Sequence, residues 1–399
     1  MAAPTRSSGR SSPRPSWGYD MNFDLADEQV MLGDSVSRWL SRSYGFDARA
    51  RILVSSEGWS RTAWQQMAEL GLLGLPFAEA DGGFGGGAEE TMIVMEAFGR
   101  ALVVEPYLSG VVLAGAVLRL GASAAQRQDL IPRIAEGSLV LALAHTEAQA
   151  RWDLANLATR AMATAEGWRL SGHKSLVLHG EAADRLIVSA RTDAGEEIGL
   201  FLVDPAAAGV LVEGYPTQDG QRAADITLQD VLVPATDMIG LPSQGLAVLE
   251  QATDEAIAAV AAEAVGAMAE ALTLTVEYLK TRTQFGVAIG SFQALQHRAA
   301  DMFIALEQAR SMTFYAVMSL AEEDAGRRRR AIAAAKVQVA KSAKFIGQQA
   351  IQLHGGIGMT MECKVGHLFR RLTIIERQFG DTDYHLHRLA GEGSLLEDV

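Results

Sequence analysis

The sequence predicts an α+β fold in which an antiparallel β-barrel or sandwich lies between two helical regions. Apolar residues recur with a helical period up to about Pro132, with a period of two between Gly137 and Ile239, and with a helical period again from Gly245. Short strands that follow one another without helices between them favour a small antiparallel β-domain. A chain of 399 residues is long enough for two or three domains with sizeable cores. We therefore predict an N-terminal helical domain over 21–135, a middle β-domain over 136–240 and a C-terminal four-helix bundle over 241–399.

Four helical patterns stand out in the first region. Ser60 can cap the second of them, and Gly71 ends it. The glycine-rich loop from Asp81 to Gly87 follows no strand of a βαβ unit, so we interpret it as a flexible connection and not as a Rossmann phosphate loop. The four predicted helices are Leu25–Leu40, Arg61–Leu70, Glu89–Val103 and Leu108–Leu120.

Seven short strands are predicted in the middle region, because alternating apolar runs are punctuated there by glycine and proline. The helical region that follows Gly245 contains four or five long segments. The predicted strands are Leu139–Ala144, Leu157–Ala165, Trp168–Leu178, Arg185–Ala190, Gly199–Val203, Val210–Gly214 and Asp225–Val233.

Charge and cysteine content exclude several classes of protein. A net charge of −13 argues against general nucleic-acid binding. The single cysteine, Cys363, rules out a disulfide framework and favours a cytoplasmic location. No membrane span is predicted, because the longest weakly polar stretch, 256–274, carries Glu263 and Glu270.

Two further features carry no prediction of a site. His385 and His387 lie two residues apart, but no pattern of carboxylates and cysteines surrounds them, so no metal site is predicted. Residues 1–20 are rich in Ser, Arg and Pro and cannot bury enough apolar surface to order themselves. We interpret them as a disordered extension ahead of Met21. A transit peptide is the alternative, because acidic residues are missing until Asp20.

The most informative segment follows a long Ala-rich helix and begins at Tyr278. It sets Arg282, Phe285 and Gln293 around a glycine turn at Gly286. An arginine offers a fixed fork to pyrophosphate, a phenylalanine offers a stacking face, and a glutamine offers a donor together with an acceptor. This set indicates a site for a phosphate-bearing ligand that contains adenine.

A second motif, Gln352-Leu-His-Gly355-Gly356-Ile-Gly358, lies downstream. The two motifs, in this order and at this distance, resemble those of the acyl-CoA dehydrogenase superfamily, and the resemblance covers about 22–390. It implies two helical domains with a β-domain between them, FAD as the cofactor, an acyl-CoA as the substrate and electron-transfer flavoprotein as the electron acceptor. It also implies the residues that hold FAD, which are Arg282, Phe285, Gln293, Gln352, Gly355 and Gly356 on the adenosine side, and Thr146 and Leu178 at the flavin edge.

The resemblance fails at the catalytic base. Family members take the α-proton of the thioester with a Glu, placed either just before a glycine near the C-terminal end or on the helix before Arg282. Phe379 and Ala256 occupy these positions here. The base is then a carboxylate from a partner chain or one of three in this chain. Glu255 is one residue from Ala256, which is about 100° of helix rotation, and Glu263 lies two turns beyond Ala256. The third candidate, Asp381, follows shortly after Phe379.

The flavin edge departs from the family as well. The family's Thr-Glu-Pro…Gly-Ser is here Thr146-Glu147-Ala-Gln-Ala-Arg-Trp152, and aromatic and hydroxyl contacts are replaced by Leu176 and Leu178. In the family, the adenosine-side residues reach the FAD of a neighbouring subunit. A chain that keeps this half and loses the other resembles the small subunit of two-component acyl-CoA dehydrogenases of the pimeloyl-CoA or steroid side-chain type.

Three functions stay open at this point. The first is FAD-dependent α,β-dehydrogenation of an acyl-CoA by a homotetramer with a displaced base. The second is a non-catalytic, FAD-holding small subunit in a heterotetramer with a larger dehydrogenase chain, which the two absent Glu residues favour. The third is another flavin chemistry, such as that of a monooxygenase or a nitroalkane oxidase.

Overall fold

The computed structural model describes residues 25–192 and 197–391, so the extension predicted for 1–20 lies outside the described residues. The first region is helical, as predicted. Its apolar faces meet in one core that buries Trp64, Met67, Phe98 and Val117. Its helices are α1 (Asp27–Ser43), α2 (Phe46–Leu53), α3 (Arg61–Glu69), α4 (Ala88–Ala101), α5 (Gly115–Gly121) and α6 (Ala124–Ala135).

Local signals set the ends of several helices. Ser60 accepts a hydrogen bond from the N–H of Ala63 at 3.1 Å and caps α3, and Gly71, with a φ of 75°, follows the other end of that helix. The helix predicted over 108–120 is divided in two, because a π-helix, Tyr107–Ala114, precedes α5. Such wide turns are frequent at functional sites, and this one forms a wall of the pocket described below.

The middle region forms one sheet of eight strands, in the order β6-β7-β3-β2-β4-β5-β8 with β1 added to β4. Five of the seven strand pairs are antiparallel, and β4 pairs in parallel with both β1 and β2. These two strands share one edge of β4, and the chain between them, 145–159, leaves the sheet. The strands are β1 (Leu141–Ala144), β2 (Arg160–Thr164), β3 (Gly167–Leu178), β4 (Arg185–Thr192), β5 (Ile198–Val203), β6 (Val210–Pro216), β7 (Arg222–Val233) and β8 (Met238–Ile239).

The last region is a bundle of long helices joined by a short hairpin. By length and composition, its first helix could cross a membrane, with a mean hydropathy of 1.6, but 83% of that apolar window is buried within the protein. The elements are α7 (Pro242–Thr281), the hairpin strands β9 (Thr283–Gln284) and β10 (Val287–Ala288), α8 (Gln293–Ser319), α9 (Ala325–His354), α10 (Lys364–Arg377) and α11 (Thr382–Gly391).

Helix α7 connects the two helical regions in space. A Cβ built at Gly99 of α4 would lie 1.9 Å from the carbonyl oxygen of Glu263, and one at Gly266 of α7 would lie 1.9 Å from that of Glu96. Only glycine permits so close a crossing of the two backbones. This crossing sets the π-helix, the end of β3 and the loop between α10 and α11 on one side of α7, where they enclose a pocket.

Candidate active site

A pocket of about 150 Å³ lies where the sheet, the π-helix and the C-terminal helices meet. Thr146 follows strand β1, Leu176 and Leu178 end strand β3, and Phe379 comes from the loop between α10 and α11. The structure thus brings Thr146, Leu178 and Phe379 together, although they are far apart in the sequence. Ser109 and Leu113 of the π-helix, Thr253 of α7, and Trp152, Tyr384 and Arg388 also line this pocket.

A buried ion pair holds the segment around Thr146 in place. Lys174 and Glu147, with side chains 0% and 3% exposed, lie 2.7 Å apart. Glu147 also accepts hydrogen bonds from the backbone N–H groups of Ala158 and Thr159, at 2.7 and 3.2 Å. Burial alone would raise the pKa of Glu147, but the Lys174 ammonium and these hydrogen bonds lower that pKa to about 2. The pair is therefore charged at neutral pH and fixes the floor of the pocket.

The loop that carries Phe379 is fixed by two buried side chains. Lys336 donates hydrogen bonds to the carbonyl oxygens of Ile375 and Glu376 at the end of α10. His385 donates from Nε2 to the carbonyl oxygen of Phe379 at 3.0 Å, so that nitrogen carries the proton. Burial lowers the pKa of His385 to about 4 and that of Lys336 to about 7. The bonds to this loop hold Phe379 at a φ of 60°, which is strained for an aromatic residue.

Aromatic side chains close one side of the pocket. The rings of Trp152 and Tyr384 lie 5.5 Å apart, and the Tyr384 hydroxyl donates to the carbonyl oxygen of Trp152 at 3.2 Å. The guanidinium of Arg388 lies 5.8 Å from the Tyr384 ring. The bulky indole of Trp152 lines the pocket at the position where the family resemblance predicts a small residue.

A smaller cavity of about 30 Å³ adjoins the pocket, and we name it the polar chamber. The two cavities share three lining residues, Ser109, Leu178 and Gln378. Tyr107 and Gln378 line the chamber. The hydroxyl of Tyr107 and the Oε1 atom of Gln378 have no hydrogen-bond partner among the described residues. Buried polar groups without partners are rare in proteins and often mark a bound water or a functional role. The wall also contains Glu105, His179, Gln221, Glu263 and Arg371.

Glu105 lies in this wall and is 4% exposed. Its carboxylate accepts hydrogen bonds from the N–H groups of Ser60 and Val104, at 3.2 and 3.3 Å, and from the hydroxyl of Tyr44. Burial raises the pKa of Glu105 to about 7, although these hydrogen bonds oppose the rise. The carboxyl of Glu105 is therefore easier to protonate than an exposed glutamate.

The charges beside Glu105 are already balanced. Arg371 binds both carboxylate oxygens of Glu263 at 2.6 Å and one of Asp219 at 2.7 Å. Burial disfavours the charged guanidinium, but Glu263 and Asp219 raise the pKa of Arg371. Arg49 is the second cation, and it donates to backbone carbonyl groups. Two cations and two anions cancel, which leaves Glu105 without a counter-charge of its own.

Ser109 and His179 form a neutral pair between the chamber and the pocket. The Nε2 atom of His179 lies 2.9 Å from the carbonyl oxygen of Val104 and must donate, since a carbonyl only accepts. The Nδ1 atom then accepts from the hydroxyl of Ser109 at 3.1 Å. Burial lowers the pKa of His179 to about 4, so the ring is neutral at neutral pH.

Backbone strain is concentrated at the candidate sites. Seven non-glycine residues of the described chain have a left-handed φ. Arg151, Leu176 and Phe379 among them line the pocket, His179 lines the polar chamber, and Phe285 lies in the hairpin after α7. Strained residues collect at functional sites because the surrounding structure holds them there.

The predicted adenosine-side residues lie on a second, exposed surface. Phe285, between β9 and β10, is 90% exposed and meets Phe292 edge-on, with ring centroids 6.2 Å apart. The guanidinium of Arg282 makes no ion pair with a described residue, and a Cβ built at Gly286 would have no atom within 4 Å. An unpaired cation beside an exposed aromatic ring suits a ligand with a phosphate and a flat base.

The second motif lies against the first. Tyr278 at the end of α7 stacks on His354 at the end of α9, with ring centroids 4.6 Å apart. Two residue sets that are far apart in the sequence therefore share one surface. We name it the hairpin surface, and it contains Arg282, Phe285, Gln293, Gln352, Gly355 and Gly356, all of which are exposed.

The three candidate carboxylates lie in different places. Glu255 pairs with Arg119 in a separate cleft of about 620 Å³ beside the glycine-rich loop. Glu263 lines the polar chamber and is bound by Arg371. Asp381 accepts the backbone N–H of Tyr384 at 2.9 Å in the first turn of α11. None of the three lines the pocket itself.

The sequence reasoning missed Glu105, Tyr107 and Arg371. Glu105 and Tyr107 lie two residues apart, just before and at the start of the π-helix, whereas Arg371 lies on α10 and meets them only in the folded chain. The sequence contains one feature that indicates Glu105. Glu105 is the single acidic residue between Ala101 and Leu118, in an otherwise apolar run, and such a residue is rarely buried without a purpose.

Models of the acyl-CoA dehydrogenase family match nearly all of the described chain. The N-terminal domain model matches 26–138, the middle domain model 142–231 and the C-terminal domain model 243–393. The short-chain specific acyl-CoA dehydrogenase of mitochondria from Sus scrofa is 30% identical over 342 residues, which cover 84% of this chain and 82% of that protein.

Solved structures agree in fold over the same length. A chain of the ChsE4-ChsE5 complex from Mycobacterium tuberculosis is 26% identical with a TM-score of 0.84, and the match covers 93% of this chain and 98% of that one. The FAD complex of PigA is 26% identical with a TM-score of 0.85, covering 93% and 99%.

The fold and the two sites define a flavin-dependent oxidoreductase. The chain belongs to the acyl-CoA dehydrogenase family of oxidoreductases, and its cofactor is FAD. The predicted family, fold class, enzyme class and cofactor are confirmed.

Proposed function

We propose that this chain catalyses the α,β-dehydrogenation of an acyl-CoA thioester. The main support is that the residues predicted for the adenosine side of FAD share one exposed surface, and that Thr146 and Leu178, predicted for the flavin edge, line one pocket. Arg282 and Phe285 on the hairpin surface suit the pyrophosphate and the adenine, and Gln293, Gln352, Gly355 and Gly356 complete that surface. The mainly apolar pocket with Thr146 and Leu178 suits a flavin ring beside an acyl group.

FAD, when bound, would supply the hydride acceptor for the β-hydrogen, and the chain supplies position, polarisation and a proton acceptor. The backbone N–H of Phe379 donates to no described group and is free to polarise the thioester carbonyl, which makes the α-proton more acidic. Trp152 and Tyr384 exclude water from one side of the pocket.

The proton acceptor must be a carboxylate that reaches the pocket, because the side chains of Phe379 and Ala256 cannot take a proton. Glu255, Glu263 and Asp381 remain candidates, as does a carboxylate from a partner chain. Amide substitution at each of the three in turn tests them, since an amide keeps the shape and removes the base.

A non-catalytic, FAD-holding small subunit is the second candidate function. Trp152 in the lining of the pocket favours it, because the residues predicted for the adenosine side are all present while those predicted for the flavin edge are altered. A chain of the ChsE4-ChsE5 complex has the same fold. In this function the chain assembles with a larger dehydrogenase subunit as a heterotetramer, whereas the first function needs a homotetramer. Electron-transfer flavoprotein as acceptor and a cytoplasmic location belong to both proposals.

The purified chain distinguishes the two functions. We expect a tetramer by light scattering with stoichiometric FAD. Mixing it with butyryl-CoA or octanoyl-CoA should bleach the flavin and give a product that has lost two hydrogens by mass spectrometry. Bleaching that requires a larger dehydrogenase chain would establish the small-subunit function instead. A colourless monomer would contradict both.

A further inference from the structure

We propose that the polar chamber is the proton-accepting site of this reaction and that Glu105 is its acceptor, in place of the Glu missing at positions 379 and 256. This inference rests on the proposed function. It places the base behind the wall of the pocket, on the side of the π-helix, and not on α7 or in the loop before α11.

The chamber has the position and the size for a proton relay. Ser109, Leu178 and Gln378 line both the chamber and the pocket, so only these side chains stand between the two cavities at this point. Its volume of about 30 Å³ can hold a water molecule. The unpaired hydroxyl of Tyr107 and the unpaired Oε1 atom of Gln378 offer such a water a donor and an acceptor. Tyr107 is only 1% exposed, so its hydroxyl has no access to outside solvent.

Glu105 suits the role better than the other carboxylate of the chamber. Both oxygens of Glu263 are bound by Arg371, and protonation would break two charge-assisted hydrogen bonds. Glu105 has no ion pair among the described residues. A proton on Glu105 leaves a neutral cluster, because Arg49 and Arg371 already balance Asp219 and Glu263. Uptake of a proton by Glu105 is therefore the least costly at this site.

The other titratable groups near Glu105 do not compete with it. His179 stays neutral with its Nε2 proton held by Val104 and its Nδ1 atom occupied by Ser109. The two tyrosines, Tyr44 and Tyr107, keep their protons because burial raises their pKa values above the usual range. The remaining charged groups of this cluster are Arg49, Asp219, Glu263 and Arg371, whose charges cancel.

The proton step balances in atoms and electrons. The α C–H bond breaks, and its proton passes to the chamber water, which gives one of its own protons to the carboxylate of Glu105. The electron pair of that bond becomes the second bond between the α and β carbons. The β-hydrogen leaves with its electron pair to the oxidised FAD of the proposed function. The acyl-CoA thus loses one proton and one hydride, and Glu105 ends neutral.

Three variants of the FAD-loaded protein test the proposal. Glu105→Gln removes the proton acceptor and keeps the shape of the side chain. Glu105→Asp keeps a carboxylate but sets it further from the chamber, because the side chain is one methylene group shorter. Glu96→Gln is the control, because Glu96 is a half-buried carboxylate that pairs with Arg310 at 2.8 Å and lines neither cavity. Exchange of the α-hydrogens of butyryl-CoA and octanoyl-CoA with D₂O, followed by mass spectrometry, reports the proton step without product formation.

We expect Glu105→Gln to slow this exchange by a factor of about 100 or more, with unchanged FAD content and unchanged affinity for acyl-CoA. Glu105→Asp should retain part of the rate, and Glu96→Gln all of it. Infrared difference spectra should show a buried carboxyl band that titrates near neutral pH and is missing in Glu105→Gln. If Glu105→Gln does not fold, Tyr44→Phe serves instead, since loss of its hydrogen bond should move the midpoint of the exchange profile to higher pH.

The possible failures are distinct. Exchange at the wild-type rate in Glu105→Gln would overturn the role of Glu105, and the dehydrogenase function would stand if that variant still bleaches its flavin. A wild-type protein that neither exchanges α-hydrogens nor bleaches would overturn both. A carboxyl band that stays in Glu105→Gln would show that the titrating group is another residue and would also overturn the inference.

Discussion

The hairpin surface and the pocket differ in how the chain builds them. On the hairpin surface the polar and aromatic side chains are exposed and make few contacts, as Phe285 at 90% exposure shows. Around the pocket and the polar chamber the charged side chains are buried and bound to one another, as in the pairs Lys174–Glu147 and Arg371–Glu263. The hairpin surface contains the residues predicted to bind the adenosine side of FAD, whereas Phe379, which lines the pocket, stands where the family resemblance predicts a Glu.

This difference indicates that cofactor binding and proton chemistry are separable in this fold. Residues that bind an extended ligand from the outside depend on local spacing, and they stay in place when the core changes. A proton acceptor depends on burial and on neighbouring charges, so it can move to another element if a cavity connects it to the substrate.

The largest effect is expected from the buried ion pair under the pocket. Glu147→Ala leaves the Lys174 ammonium buried without a partner and should lower the free energy of unfolding by about 3–5 kcal/mol. Denaturation with urea measures this. The control is Glu57→Ala, since Glu57 and its partner Arg61 are 45% and 63% exposed, and it should cost less than about 1 kcal/mol. Equal losses in both variants would mean that burial does not distinguish the two pairs.

The polar chamber should give stability a dependence on pH. The pKa of Glu105 is about 7 in the folded chain and near 4.5 when exposed. The protonated Glu105 therefore contributes its full stabilisation of the fold below about pH 4.5, and this stabilisation is lost as pH rises through about 7. From about pH 4 to about pH 8, the wild type should lose on the order of 3 kcal/mol relative to Glu105→Gln. Parallel stability curves for the two proteins would contradict a buried, titrating Glu105.

On the hairpin surface the largest expected change is in cofactor affinity. Arg282→Ala should weaken FAD binding by about 1.5–3 kcal/mol, because a charge-assisted contact is lost, while the stability of the fold stays the same. Lys280→Ala is the matched control, since Lys280 is an exposed cation two residues away that pairs with Glu277. Calorimetric titration of the apoprotein with FAD measures both. Unchanged affinity in Arg282→Ala would remove it from the cofactor site.

The pocket and the hairpin surface were not equally predictable from the sequence. Arg282, Phe285 and Gln293 fall within one short segment, and the chemistry of each type could be read directly. Arg371 is 108 residues from Glu263 and 152 from Asp219, and only the packing of α7 against α4 and α10 brings them together. The predicted strands were found close to their expected places, but the parallel pairing of β4 was not foreseen, because period-two patterns do not specify which edges meet.

The smallest effect concerns the glycine turn of the hairpin. Gly286 has a φ of 78° with open space around it, so Gly286→Ala adds strain without a clash and should cost roughly 1 kcal/mol. A Cβ at Gly99 would instead meet a backbone oxygen, so Gly99→Ala should destabilise the fold far more. Thermal unfolding of the two variants measures the difference. Similar melting temperatures would show that the α4–α7 crossing adapts.

The most direct test of the account is the rate of flavin reduction in the purified, FAD-loaded chain after rapid mixing with octanoyl-CoA at a series of pH values. We predict reduction without any second chain, at a rate that rises through a midpoint near neutral pH. We also predict that Glu105→Gln slows this reduction by a factor of about 100 or more and that Phe379→Glu in the same chain restores it, by returning a carboxylate to the position predicted from the family resemblance. Absence of reduction at every pH until a larger dehydrogenase chain is added would contradict the account and identify the chain as a cofactor-holding subunit.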